Sequence, residues 1–243
     1  MMHVASLYRH PIKAIGHERL GEVVLTPRAR MPGDRIWAVA HEGARPVEAW
    51  APCANFVRGA KSASLMAVSA ETTPEGLRLT HPERPEITVD PETDGDRLVE
   101  WVRPICDPGR AAPAKLVPAP GGMTDNEAPW LTLLSHGSRD ALGRVAGRAL
   151  SPLRFRGNIW IEGAEPWAEL SWIGRTLEIG DVRLRVTEPV ERCVATHVDP
   201  ETGRPDADLL KTLETTYGHR DFGVFVEVIA GGRVAPGDTV TLL

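Results

Sequence analysis

Apolar residues in this chain come in short bursts bounded by Gly, Pro, Asp and Asn, and within most bursts they alternate with polar ones. Period-two alternation between turn residues is the mark of a half-buried β-strand, whereas helices need longer runs at a period of 3.6. The pattern predicts strands at VASLY (4–8), LGEVVLT (20–26), RIWAVA (35–40), SLMAVSA (64–70), GLRLT (76–80) and EITVD (86–90). Further strands are predicted in FRGNIWIEG (155–163), WIGRTLEIG (172–180), VRLRVTEP (182–189) and VERCVATHV (190–198), with two more in the closing stretch 222–243. Three segments read as helix. DGDRLVEWVR (94–103) sets Leu98, Trp101 and Val102 on one stripe behind a capping Asp94. WLTLLSHGSRDALGRVAG (130–147) reads as a strand running into a helix, capped by Ser135 or Ser138. DADLLKTLETTYG (206–218) carries Leu209, Leu210 and Leu213 on one side and stops at Gly218.

Many short strands and few helices imply a mainly β chain with some α, built as two β-barrel-like modules. The stretch 104–123, rich in Pro, Gly and Ala, reads as a connector. A domain boundary near its end divides the chain into residues 1–122 and 123–243.

Composition narrows the class. The 243 residues are 42% hydrophobic and 25% charged, ordinary for a globular protein. A net charge of −5 does not favour nucleic acid or an anionic membrane, so any anion site must be a local basic cluster. No apolar run approaches a membrane span, and the N-terminal MMHVASLYRHPIKAIG has no signal-peptide core, so the expected compartment is the cytoplasm. Three cysteines without a CxxC argue against a disulfide framework or a zinc site.

Cys193 is the first candidate for chemistry. On a strand VERCVATHV, Glu191, Cys193, Ala195 and His197 face one way and the valines the other. Two readings stand: a small buried hydrophobe, the commoner fate of a free Cys, or a thiolate that ligates a soft metal or attacks as a nucleophile. His197 would lie roughly 13 Å along such a strand, too far to share one ion with Cys193. Lys13, Arg35, Arg154, Arg156 and Arg192 lie in or beside strands; each alone reads as a solvated charge, and together they would line an anion pocket if the fold gathered them. GxGxxG and Walker loops are absent, SHGS is not a GxSxG elbow, and DPETGRPD (199–206) reads as a turn rather than a calcium loop. Cys53 and Cys106 receive no role.

In combination these segments resemble the MOSC superfamily. ERCVATHVDPETG (191–203), LLKTLE, FGVFVEV and GGRVAPGDTV are similar to its C-terminal domain, as are LLSHGSRDAL and FRGNIWIEGAEPWAELSW. YRHPIKAIG and MPGDRIWAVAHEGA resemble the β-barrel module that precedes it in many members. The resemblance implies a pterin-dithiolene molybdenum cofactor in a cleft between the two modules, with Cys193 as metal ligand. It implies that Lys13, Arg35 and Arg156 hold the phosphate and pterin, with Asn158, Arg192 and Ser138 nearby. It further implies reduction of N-hydroxylated or N-oxygenated compounds, with electrons from a separate ferredoxin-type or flavoprotein donor. A cofactor or persulfide carrier, and a non-catalytic anion-binding module, are the alternatives. The chain departs from the family pattern at Ala14, where a small polar residue is usual, at Gly157, where FRPN becomes FRGN, and at Thr196–His197.

Overall fold

The computed structural model describes residues 1–45, 50–119 and 121–243; position 120, inside the expected connector, lies outside them. Its main sheet has eight strands. From one edge to the other these are Val240–Leu242, Thr176–Ile179, Val182–Glu191, Asp221–Ala230, Leu131–Ser135, Ile159–Glu162, His3–Arg9 and Glu18–Leu20. All neighbours are antiparallel except Leu131–Ser135 with Ile159–Glu162, which are joined through the helix His136–Val145. The sheet curls until its ends meet. His3 bridges Thr239, and the Val4 amide donates to the Asp238 carbonyl at 2.9 Å. Inside the ring pack Val4, Leu7, Leu133, Ile161, Leu184, Val226 and their neighbours, which are almost wholly buried. Closing the sheet removes the open edges that an eight-strand sheet would otherwise expose.

The first strands therefore belong to the second barrel. His3–Arg9 and Glu18–Leu20 lie in its sheet, and Val23–Leu25 pairs with Gly232–Val234. The N-terminal module proper has the meander Ser69–Thr73, Gly76–His81 and Arg84–Val89, the pair Trp37–His41 with Pro113–Pro118, and the helix Gly95–Val102. Its core gathers Ile12, Ile15, Val39, Leu65, Leu79, Leu98 and Leu116. The contiguous split at 122/123 follows chain order, but not the sheets.

Local differences from the expected elements have physical causes. The strand expected at 20–26 is broken at Gly21 into two short pieces. Residues 63–67 form a 3₁₀ turn burying Leu65, Met66 and Ala67; so short an apolar run does not distinguish strand from helix. The expected connector contains the strand Pro113–Pro118, whose Leu116 faces the core between prolines that mask the signal. Ser135 is the helix cap, its Oγ accepting from the Gly137 amide at 3.1 Å. Asp94 stands at the cap position, but its carboxylate takes the Asp90 amide and Arg97 instead. Gly218 ends its helix in the left-handed region at φ 77°, and DPETG forms the expected turn, with Asp199 Oδ1 accepting from the Glu201 amide. No helix among the described residues is long and apolar enough to cross a membrane.

Candidate functional site

A cavity of about 260 Å³ opens between the barrel and the N-terminal module. Lys13, Arg35, Arg156, Asn158, Arg192 and Cys193 all line it. Segments separated by almost the whole chain are thus brought to one place.

The backbone there is unusual. Among the described residues five other than glycine have positive φ, and three of them line this cleft: Ala14 at 61°, Arg35 at 54° and Arg156 at 48°. Left-handed backbone costs an L-residue about 1–2 kcal/mol. Its concentration here marks a place where the fold imposes side-chain direction. The strain is held by bonds between segments. The Lys13 amide donates to the Trp37 carbonyl at 2.7 Å, and the Arg35 amide to the His10 carbonyl at 2.6 Å. Beneath them Asp34, 2% exposed, accepts from the His10 amide at 2.6 Å and faces His10 Nδ1 at 3.2 Å, while pairing with the Arg35 guanidinium. Burial alone would raise the Asp34 carboxyl, but the Arg35 charge and the His10 bonds outweigh it and hold the group well below the usual carboxylate range. Burial, with Arg156 and Arg35 nearby, drives His10 well below its ordinary value, so the ring is neutral.

The cleft holds more positive charge than its own carboxylates neutralise. Burial pushes the Arg156 guanidinium down to about 9, with Arg35 adding repulsion. Burial likewise lowers Arg192 to about 10, against the opposing pull of Cys193. Among the described residues neither has a carboxylate within ion-pair distance. Lys13 is buried, which lowers its pKa, and donates to Asp125 at 2.6 Å and to the Met123 carbonyl at 2.9 Å. Arg154 also faces the cleft, but its fork is matched by Asp206 with two bonds of 2.7 Å. Cations concentrated in a poorly solvated cleft form a ready seat for an anion.

Cys193 is not on a strand. The strand ends at Glu191, and Cys193 caps a 3₁₀ turn, Val194–His197. Its carbonyl accepts from the Thr196 amide at 3.1 Å and the Thr196 hydroxyl at 2.9 Å. The alternating faces therefore do not exist here: Cys193 is exposed and free, and Thr196 is buried. The reading of this thiol as a small buried hydrophobe is overturned. His197 turns away, its Nε2 accepting from the Leu210 amide at 3.3 Å at the start of the helix Leu209–Tyr217. Among the described residues no three His, Cys, Asp or Glu side chains converge as a metal site.

Other expectations need correction. Ser138 does not line the cleft; it is buried behind it, donating to Glu169 Oε2 at 2.8 Å and accepting from the Trp167 amide at 2.8 Å. The Asn158 amide is committed to the barrel, with Oδ1 accepting from the Thr132 amide at 3.1 Å and Nδ2 donating to the Tyr8 carbonyl at 3.2 Å. It positions its neighbours rather than offering a free edge. Arg192 is likewise pinned: its Nε donates to the Phe222 carbonyl at 2.7 Å and its Nη1 to the Phe155 carbonyl at 2.9 Å, with the guanidinium over both rings. Sequence reasoning missed Asp34, His10, Asp125, Cys53, Arg58 and the apolar wall of Met66, Trp130 and Phe225. For Asp34 and His10 a signal existed in their adjacency to Arg35 and Lys13; for Arg58 there was none.

The MOSC domain family model matches residues 125–241, and the MOSC N-terminal beta barrel domain model matches residues 1–103. The chain belongs to the MOSC family, with its N-terminal barrel domain ahead of the MOSC domain. Mitochondrial amidoxime-reducing component 1 of Mus musculus is 34% identical over 128 residues, covering 48% of this chain and 37% of the mouse protein. A molybdenum cofactor sulfurase of Anopheles gambiae is 36% identical over 76 residues, 31% of this chain and 10% of that protein. The matches therefore reach little more than a third of the mouse relative. Among solved structures, the YUAD protein from Bacillus subtilis aligns over 100% of this chain and 96% of its own, with 12% identity and a TM-score of 0.49.

Proposed function

We propose that this chain binds a pterin-dithiolene molybdenum cofactor in the cleft, with the Cys193 thiolate as a metal ligand, and reduces N-hydroxylated or N-oxygenated compounds. The observation that carries the reading is the meeting of an exposed free thiol with the half-buried cations Arg156 and Arg192, which have no carboxylate partner among the described residues. The donor set fits the group: a soft thiolate for a soft metal already carrying sulfur ligands, and Lys13, Arg35 and Arg156 for a phosphate. Arg192 and Asn158 have internal bonds of their own: Arg192 ties the Cys193 turn to the Phe222 and Phe155 carbonyls, and Asn158 ties its strand to Tyr8 and Thr132. When bound, the cofactor supplies the two-electron change that removal of oxygen from an N–O group requires. Lys13, Arg35 and Arg156 would hold the anionic end and Cys193 the metal, while Met66, Trp130 and Phe225 would exclude water along the apolar wall. Electrons come from a separate ferredoxin-type or flavoprotein donor. The compartment proposed is the cytoplasm, where Cys53, Cys106 and Cys193 stay reduced.

A second reading, a carrier of cofactor or persulfide sulfur, draws on the partial similarity to a molybdenum cofactor sulfurase and on the exposure of Cys193. One experiment separates the two. Wild type and Cys193→Ser are compared for molybdenum, pterin and persulfide content and for turnover of an amidoxime with a chemical reductant. The reductase reading requires turnover and molybdenum in the wild type and loss of both in the variant. Persulfide on Cys193 with no turnover supports the carrier.

A further inference from the structure

Arg58 stands apart from the other cleft cations. It lies on the wall built by the N-terminal module, with Cys53, Gly59, Ala60 and Met66, across from the barrel wall that carries Arg156 and Arg192. Its carbonyl accepts from the Lys61 amide at 2.9 Å and the Ser62 amide at 3.0 Å, so the residue sits at the start of a tight turn. That turn lies close to the turn bearing Cys193. A methyl group built on Gly59 would come within 3.7 Å of Ala195 Cβ and 2.5 Å of Met66 Sδ. Gly59, next to Arg58, therefore lies near Ala195 in the Cys193–His197 segment, with room for no more than a methyl group between them.

The partners of Arg58 also differ. Arg35 has Asp34, Arg154 has Asp206, and Arg192 is saturated by carbonyls; Arg156, on the barrel wall, donates to the Ile12 carbonyl at 3.4 Å and, like Arg58, has no carboxylate among the described residues. Arg58 donates from Nη1 to Cys53 Sγ at 2.8 Å, and among the described residues it has no carboxylate partner. Sulfur is a weak acceptor that leaves the guanidinium fork electrically unanswered. A planar fork with free donors matches a carboxylate in two parallel bonds.

We infer that Arg58, backed by Cys53, is a substrate-side anion subsite, and that the preferred N-hydroxylated substrates carry a carboxylate. The inference rests on the proposed reductase function. The carboxylate docks on the N-terminal module's wall while the N–O group faces the Cys193 side of the same cavity. The two walls thus divide the work: the barrel holds the cofactor, and the turn at Arg58 selects what reaches it.

The test uses the loaded full-length protein and Arg58→Gln, with benzamidoxime and 4-carboxybenzamidoxime as matched substrates. Wild type should prefer the carboxylated compound in kcat/KM. Arg58→Gln should lose roughly ten- to a hundredfold of that preference, mainly through KM, the worth of a charge-assisted pair. Arg58→Lys should recover part of it, and molybdenum content should stay at the wild-type level. No preference in the wild type, an equal fall for both compounds, or a fall in molybdenum would overturn the inference, the last by making Arg58 a cofactor residue. If the wild type turns over neither compound, the reductase reading fails, and calorimetry with benzoate and benzamide decides the subsite alone. Benzoate binding that disappears in Arg58→Gln then supports it, and binding that persists, or is absent in the wild type, refutes it.

Discussion

Lys13 Nζ donates to the Asp125 carboxylate at 2.6 Å, tying a loop near the start of the chain to the segment that enters the MOSC domain. The lysine is 4% exposed, whereas the aspartate side chain is 80% exposed. The charge on the cleft floor is thus neutralised by a group that water can readily claim, and an anionic ligand competes with Asp125 for the same ammonium. Asp125→Asn should tighten the binding of inorganic phosphate by roughly two- to fivefold, the worth of an exposed ion pair. Lys13→Met should abolish it. Calorimetric titration of the cofactor-free protein reads both, and weaker binding in Asp125→Asn would mean that the aspartate positions Lys13 instead.

Ser138 separates family resemblance from this structure. Its hydroxyl is buried between the Glu169 carboxylate and the Trp167 amide, and burial raises the Glu169 pKa against the bond from Ser138. Ser138→Ala should destabilise the fold by roughly 1–3 kcal/mol, because it strands buried partners. Molybdenum content should not change. Denaturant melts and metal analysis on one preparation test both halves.

The role of Gly157 is close packing. A Cβ on it would lie 2.2 Å from Leu134 Cδ1, in the core beneath the cleft. Gly157→Ala should destabilise by roughly 1–3 kcal/mol through overpacking. Gly157→Pro adds a second conflict, since a residue before proline avoids helical ψ and Arg156 sits at φ 48°, ψ 42°. Displacement of Arg156 should then show as weaker phosphate binding.

Stability should fall on mild acidification. Burial, with the Arg156 charge adding to it, lowers His17 to about 4, and its Nε2 lies 3.2 Å from Ser69 Oγ. His10 is lowered in the same direction. A base whose folded pKa lies below its unfolded value of about 6.5 binds its proton first in the unfolded chain. Stability is therefore complete above about pH 6.5 and declines as pH falls toward 4. Asp34, depressed in the folded state, adds a further loss below about pH 4, where the unfolded chain takes up its proton. Thermal midpoints between pH 7 and 4 should drop, and His17→Gln should flatten the slope. An unchanged slope would remove His17 as a cause.

Much of the strand content was legible because alternation survives wherever one face of a strand meets a core: the hairpins at 76–81 and 84–89 and the strand 182–191 lie close to where the pattern places them. Legibility failed where the chain stops being regular. VERCVATHV reads as nine alternating residues, yet the strand ends at Glu191 because the Cys193 carbonyl is taken by Thr196 in a local turn. Alternation cannot detect that competition, since the same residue types satisfy both conformations. Pro113–Pro118 was hidden for the opposite reason, as flanking prolines read as loop although the strand pairs with Trp37–His41.

By itself, the sequence determined the β class, the absence of phosphate-loop and zinc motifs, the resemblance to MOSC domains and the set of basic residues around a lone cysteine. Only the tertiary structure decided that Lys13, Arg35, Arg156 and Cys193 face one cavity, that Ser138 lies behind it, and that Arg58 and Cys53 form its other wall. The physical reason is range. Side-chain periodicity reports each residue's own strand or helix, whereas the site is made by sheet closure between His3 and Thr239 and by left-handed backbone at Ala14, Arg35 and Arg156. Those features are imposed by contacts between segments far apart in the chain, and no local pattern encodes them.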